Sequence, residues 1–280
     1  MSSDININLS AFGQLSDSSD TLIIEISDHL IQFCELDSKH NKPQYICHYS
    51  IDSTIQNTIN DHLIYAIKHF QLSKKQYQLV YINYFNPQFT LCPSNFYNSE
   101  HSRAMLELNV GNTNNHIILT DDIRTDIKLI YTIDDSLKSA LDNLFPNHQL
   151  KHTLTILSSL MLQSDELIKE NILLSIHSNY IEIVVKQEHQ LILSNQYTIK
   201  TQEDSLYYIL FILEQYHLNP LTVNITLVGN IDVNSSLIVA LKKYIKQIHL
   251  ALGHKTINWD GISGAPQHYN YTLLNRIFCE

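Results

Sequence analysis

The sequence predicts an α/β protein of two tandem βββαβα units, the first carrying an inserted subdomain. Three observations predict it. A strand pair broken by a short polar turn occurs twice at an offset of 150 residues, a matching order of strands and helix follows each copy, and the first half alone carries a block of extra elements.

The stretch Thr21 to Leu36, TLIIEISDHLIQFCEL, holds an apolar run, a polar break at Ser27-Asp28-His29 and a second, alternating run, which is the pattern of a β-hairpin. Asn171 to Val185, NILLSIHSNYIEIVV, repeats it around His177-Ser178-Asn179, with Leu22 falling on Ile172. A third strand-like run follows each hairpin, QYICHYSI from Gln44 and LILSNQYTI from Leu191. Each half then supplies a helix. Ile55, Ile59, Leu63, Ile67 and Phe70 form one apolar stripe, and Leu206, Ile209, Leu210 and Leu213 form the other. Thr201 to Asp204 resembles a capping box in which Asp replaces the usual Glu or Gln.

Another strand follows each helix, QLVYI from Gln78 and VNITLV from Val223, with Leu72 aligned on Leu218 and Ile82 on Val228. A last helix is expected over Asn234 to Ile248, with Leu237, Leu241, Ile245 and Ile248 on one face behind an Asn234 or Ser235 cap. The extra block follows Phe85 and contains the helix-like SEHSRAMLEL and the strand-like HIILT and IKLIYTI. Its expected extent is about 98–133. A helical pattern over Ser136 to Phe145 and the apolar stretch Leu154 to Leu162 lead into the second unit. The expected division is a flexible segment 1–20, a first half 21–165 and a second half 166–280.

Composition narrows the function. With 28 acidic and 18 basic residues the formal charge is −10, a sign that repels phosphate backbones and anionic lipid, so nucleic acid is not an expected partner. Lys242, Lys243 and Lys246 read as the solvated face of the last helix. Met1 to Ser10 lacks the positive start and apolar core of an export signal, and no stretch approaches the roughly 18 apolar residues of a spanning helix, so a cytoplasmic location without a membrane span is expected. Cys34, Cys47, Cys92 and Cys279 show no metal-binding or CxxC spacing and read as buried thiols. The histidines form no HExxH arrangement, and no metal site is expected. No GxSxG, P-loop or GxGxxG occurs.

Two βββαβα units with an insertion in the first resemble the actin-like ATPase superfamily, of ribonuclease H-like fold. The paired hairpins, the helix LYYILFILEQYHLNP, the turn LVGNID and the ending NRIFCE are similar to a family of Bacteroidetes proteins of unassigned function that share this duplicated fold. The resemblance implies where a nucleotide would sit. Active members place an Asp, and two residues later a Gly, in the first hairpin of each half, to hold magnesium or water and to cradle phosphate. Here Glu25 and Ser27 fall on those places in the first half, and Ser175 and His177 in the second. Neither hairpin has the glycine that lets backbone approach phosphate. The superfamily's glycine pair at the adenosine contact is reduced to Gly229 beside Asn230.

Glu25, Ser27, Asp28, His177, Ser178, Gly229 and Asn230 are therefore the candidate positions of a degenerate nucleotide site. Glu25 and Asp28 read either as oxygen ligands for magnesium or as solvated turn residues, and the His177-Ser178-Asn179 turn reads as ordinary turn chemistry as well. The leading expectation is a non-catalytic actin-like scaffold or regulatory interaction protein with a protein partner and no cofactor. The alternative is an ATP-binding phosphotransferase or ATPase in which Glu25, Asp28 and Gly229 hold ATP and magnesium weakly. A hydrolase on the related nuclease fold would need clustered strand carboxylates, which the strands do not supply.

Overall fold

A computed structural model of the chain describes residues 9–51, 57–163, 170–260, 262 and 264–279. Residues 1–8, Ile55 and the expected boundary at 165/166 lie outside the described residues. By contact the chain groups into two units. Unit 1 comprises Met1–Thr155 and His254–Ala265, and unit 2 comprises Ile156–Gly253 and Pro266–Glu280.

Unit 1 runs β1 (Leu9–Gly13), β2 (Thr21–Ile26), β3 (Leu30–Asp37), β4 (Lys42–Ser50), α1 (Ile59–His69), β5 (Leu79–Tyr84), β6 (Phe89–Pro93), α2 (Ser102–Val110), β7 (His116–Arg124), β8 (Ile127–Asp134), α3 (Asp135–Leu144) and β9 (His148–His152), where α4 (Thr153–Gln163) begins. Its main sheet has the order β1-β4-β3-β2-β5-β9, with β2, β5 and β9 parallel and the remaining pairs antiparallel. Central β2 is buried almost throughout, and Leu22, Ile23 and Ile24 are fully so. A strand covered on both faces needs a continuous apolar run, which TLIIEI provides.

Helix α1 is opened by a capping box in which Thr58 Oγ1 accepts from the Asp61 amide and Asp61 Oδ2 accepts from the Thr58 amide. Thr58→Ala is expected to lower stability by about 1 kcal/mol, read from urea unfolding. The inserted elements form a separate sheet of order β6-β8-β7. Leu106 of α2 is buried against Cys92 and Ile130 of that sheet.

Unit 2 repeats the plan with β10 (Glu170–Ile176), β11 (Tyr180–Gln187), β12 (Gln190–Thr198), α5 (Gln202–Gln215), β13 (Asn224–Gly229), α6 (Ser236–Leu241), β14 (Gln247–Leu250) and α7 (Tyr271–Asn275). The sheet order β12-β11-β10-β13-β14 is that of β4-β3-β2-β5-β9. Ile209, Ile212 and Leu213 of α5 and Leu237, Ile238 and Leu241 of α6 pack with alternate residues of β10, β11 and β13 in one apolar core.

Several expectations need correction. The segment Leu9–Gly13 is a paired strand against β4, because its amides and carbonyls complete an otherwise open edge. Each unit has a fifth sheet strand beyond the expected order, β9 and β14, laid parallel to its neighbour. The last helix stops at Leu241. Lys242, Lys243 and Lys246 lie exposed in the turn that follows, and Ile248 belongs to β14. The insertion also takes in β6, which begins at Phe89. Finally, Ile24 pairs with Ile82 and its counterpart Leu174 pairs with Leu227, so Ile82 corresponds to Leu227 and not to Val228.

No helix among the described residues is long and apolar enough to cross a membrane. All four cysteines are buried as free thiols, and burial pushes those of Cys34 and Cys47 up, away from the reactive thiolate.

Candidate functional site

The first hairpin closes on itself. The Ser27 amide donates to the Leu30 carbonyl at 2.9 Å, and Ser27 Oγ accepts from the Leu30 amide at 3.1 Å. Ser27 is 7% exposed, so its hydroxyl fills the place where a glycine would leave backbone open. Asp28 is exposed at the turn, 3.4 Å from His29 Nε2. Glu25 sits mid-ladder, opposite Gln32 on β3 and Asn83 on β5, and Oε2 accepts from Asn83 Nδ2 at 3.4 Å.

In the second hairpin the acid has changed strands. Ser175 occupies the place of Glu25, and Glu182, opposite it on β11, occupies the place of Gln32. His177 Nε2 lies 2.9 Å from Ser175 Oγ and 3.1 Å from Glu182 Oε2. The ring stacks on Tyr180 with centroids 4.1 Å apart. Both contacts use one ring nitrogen, whereas a nucleophile relay needs the acid on one nitrogen and the hydroxyl on the other. The arrangement is therefore a part-buried polar lock on the turn. Glu182, 1% exposed, is the functional-looking residue that the sequence reading missed, because it stands one strand away from the place the resemblance implies.

Gly229 ends β13 with φ +84, a left-handed conformation, and a Cβ there would collide with the Ile176 carbonyl. Its amide donates to the His268 carbonyl at 2.8 Å, and the Asn230 amide donates to the Ile176 carbonyl at 2.7 Å. His268 Nε2 in turn donates to the Ile231 carbonyl at 2.9 Å. The Gly229 amide thus faces a protein carbonyl.

His177, Ser178 and Asn230 do come together, on a cavity of about 370 Å³ within unit 2. It opens at the carboxyl ends of parallel β10 and β13, where open α/β sheets hold ligands. Its remaining walls come from Ile176 at the end of β10, from Ile199 to Gln202 and Ser205 at the start of α5, and from Ile231, Asp232, Ser235 and Leu237 around the start of α6. The capping box of α5 is present, with Thr201 Oγ1 accepting from the Asp204 amide and Asp204 Oδ2 accepting from the amides of Lys200 and Thr201. Those two amides hold the Asp204 carboxyl below its ordinary range. Gln202 Oε1 accepts from Ser236 Oγ, tying the two helix starts together. Ser205, the fourth residue of α5, is 1% exposed, and its Oγ has no hydrogen-bond partner among the described residues.

A second buried polar cluster lies in unit 1 where the insertion meets β9. Asp121 Oδ2 accepts from the His152 amide at 2.7 Å and from Thr155 Oγ1 at 3.0 Å, and Oδ1 accepts from the Tyr131 hydroxyl at 3.2 Å. His152 Nδ1 accepts from the Leu154 amide, which leaves the ring proton on Nε2, 2.9 Å from the Asn86 carbonyl. Burial outweighs these donors and raises the Asp121 carboxyl to about 6.

Residues 10–248 match the family described as "Protein of unknown function (DUF3822)". The chain belongs to that family. Among solved structures, it is similar to a Bacteroides thetaiotaomicron protein with actin-like ATPase fold and unknown function, at 20% identity and a TM-score of 0.80, covering 95% of this chain and 100% of that one. It is also similar to a chain of the PilM-PilN type IV pilus biogenesis complex, at 11% identity and a TM-score of 0.62, covering 94% and 99%. The ethanolamine utilization protein EutJ from Carboxydothermus hydrogenoformans follows at 8% identity and a TM-score of 0.51, covering 94% and 90%. No curated protein sequence matches the chain. The fold of this DUF3822 member is thus the duplicated actin-like ATPase fold.

Proposed function

We propose that this DUF3822 member is a non-catalytic actin-like scaffold or regulatory interaction protein of the cytoplasm, and that the positions of its fold's nucleotide site are degenerate. The observation that carries the reading is that the hairpins and the Gly229 turn turn their polar groups inward. Ser27 Oγ is engaged with Leu30, His177 with Ser175 and Glu182, and the Gly229 amide with His268. Phosphoryl transfer depends on backbone donors and a metal ion positioned around the phosphate oxygens. Groups already committed to protein partners would have to surrender them before touching phosphate. The likeness to a chain of the PilM-PilN complex supports a protein partner.

Purified protein is expected to show no magnesium-dependent ATP hydrolysis above background, measured as phosphate release. Glu25→Gln is expected to leave stability within about 0.5 kcal/mol, since the residue is partly exposed and an amide keeps an acceptor toward Asn83. Turnover that Glu25→Gln abolishes would replace the scaffold by an ATP-dependent phosphotransferase.

A further inference from the structure

We propose that the open edge of the sheet in unit 2 is a dimer contact, in which β12 of one protomer pairs antiparallel with β12 of a second copy and the aromatic flanks of their α5 helices meet across a two-fold axis. The first observation is an asymmetry between the two halves. The repeat aligns Glu35 with Val185, and these face Tyr45 on β4 and Leu193 on β12. Both pairs of strands shift register just beyond those residues. In unit 1 the outer side of β4 is filled, because Leu9–Gly13 pairs antiparallel with Tyr45 to Tyr49. The counterpart in unit 2, Leu193 to Tyr197, has no strand beyond it among the described residues. The fold thus accepts an antiparallel strand at this edge, and in unit 2 the place is open.

The second observation is how little the strand discourages pairing. The Ile199 amide donates inward to the Asn179 carbonyl at 2.8 Å, so by alternation the amides of Ser194, Gln196 and Thr198 face outward. That of Gln196 donates to Asn195 Oδ1 at 2.9 Å, a side-chain acceptor in place of a strand. Sheet edges are commonly guarded by charge, proline or brevity. Of the other described edge strands, β1, β6, β9 and β14 have five residues or fewer, and β7 carries Asp121, Asp122 and Arg124. β12 runs nine residues, QLILSNQYT, with neither charge nor proline. Its one guard, the register shift between Leu191 and Leu193, leaves Leu193 to Thr198 regular. Self-pairing suits an uncharged strand, since identical neighbours would set like charges side by side.

The third observation is the surface that continues from that edge. Tyr197 of β12 stacks on Tyr208 of α5 with centroids 4.5 Å apart, Tyr208 meets Tyr207 at 5.4 Å, and Tyr207 stacks on Phe211 at 6.1 Å. Tyr207 is 62% exposed and Phe211 44%. Asp204, Tyr208, Phe211 and Gln215 form one helical stripe on the β12 side, and its one charged group, the Asp204 carboxyl, is held at the helix start by the capping box. On a chain of net charge −10, two copies can approach through such a nearly neutral face, whereas a strongly charged partner gains little from it. A two-fold axis perpendicular to the sheet keeps both α5 helices on one side, so a single operation covers the strand edge and the rings together. A foreign strand would cover the edge alone. The contact is small, at or below the roughly 1,200 Å² of weak interfaces, so the dimer is reversible and concentration governs it.

Dimerisation stands apart from the scaffold reading, since mass and ATP hydrolysis are separate measurements. The test is sedimentation velocity of the full chain from about 1 to about 200 µM, over which the mass is expected to rise from that of one chain toward that of two. Hydrogen exchange of the native chain at the two ends of that range locates the contact. The amides of Ser194, Gln196 and Thr198 are expected to exchange about threefold or more slower at the high concentration, with those of Leu9–Gly13 unchanged. Gln196→Pro removes an outward donor without touching the ladder to β11, and Phe211→Lys sets like charges across the axis. Each is expected to weaken dimerisation by about tenfold or more in protein that still melts cooperatively. A mass of one chain throughout the range would overturn the proposal, as would concentration-dependent protection that falls on other segments, or a dimer indifferent to both variants.

Discussion

Replacing Asp121 by Asn is expected to flatten a component of stability that, in the native chain, falls as pH rises from about 4 to about 6. The folded carboxyl titrates near 6 against an ordinary value of 3.8, so the fold binds this proton more tightly than the unfolded chain does. The stabilising contribution of the protonated form is complete below the unfolded value and is lost as pH rises through the folded one. Its size is on the order of 3 kcal/mol. Carboxyls held below their ordinary range, such as those of Asp20, Asp37 and Asp134, change stability in the opposite direction, so the quantity to measure is the difference between native chain and variant.

Urea unfolding of both proteins across pH 4 to 7 yields that difference. An Asn can still accept from the His152 amide and Thr155, while its amide donates to the Tyr131 oxygen, so the variant should fold. Asp121→Ala, by contrast, leaves the His152 amide and the two hydroxyls without this acceptor and should cost about 3 kcal/mol or more at pH 7. A native-minus-Asn difference that does not vary with pH would contradict the assignment of the titrating group to Asp121.

Gly229→Ala is the second large effect. A left-handed residue other than glycine costs on the order of 1 kcal/mol by itself. Here the added methyl also meets backbone, the Ile176 carbonyl, which cannot rotate away. Relief requires shifting β10 against β13, and with it the hydrogen bonds from Asn230 to Ile176 and from Gly229 to His268. A cost of about 3 kcal/mol or more is expected. Gly111 is the control, since it has φ +80 but nothing within 4 Å of an added Cβ. Gly111→Ala should cost less, about 2 kcal/mol, from backbone strain alone, since φ +80 with ψ −160 is a region that glycine almost alone adopts. Equal losses in the two variants, measured by urea unfolding, would mean that the close approach to Ile176 carries no weight.

The hairpins were the most legible part of the fold, because each pairs two β-rich runs across a polar break of three residues, and both turns are Ser27-Asp28-His29 and His177-Ser178-Asn179 as read. The helix α5 announced itself through Thr201 and Asp204. The short strands were not legible, since HQLKH and QIHL carry too few apolar residues to show a period, and their place is decided by the neighbour whose edge they cover. The last helix was read too long because Ile245 and Ile248 continue its spacing across a turn, where tertiary packing of β14 prevails over local periodicity.

At the candidate site, the gathering of His177, Ser178 and Asn230 follows from strand ends that the repeat had already aligned. Ser205 could not be singled out, because a serine inside a helical pattern looks alike whether its hydroxyl meets solvent or is buried. Glu182 was hidden for a different reason. Moving an acid across a ladder preserves its neighbourhood and changes its sequence position completely.

The assignment of His254–Ala265 to unit 1 has a bearing on biosynthesis. Within that unit the segment is anchored by the Asn258 amide, which donates to the Asn41 carbonyl, and it buries Ile257 and Ile262. A ribosome delivers residues in order, so the amino-terminal unit cannot acquire these contacts until nearly the whole of the second unit's sheet has also been made. Domain-by-domain folding during translation is then incomplete for unit 1, whose apolar surface at Ile257 and Ile262 stays unmatched through that interval. Nascent chains arrested before residue 254 should accordingly be more open to protease in the first unit than chains arrested beyond 265.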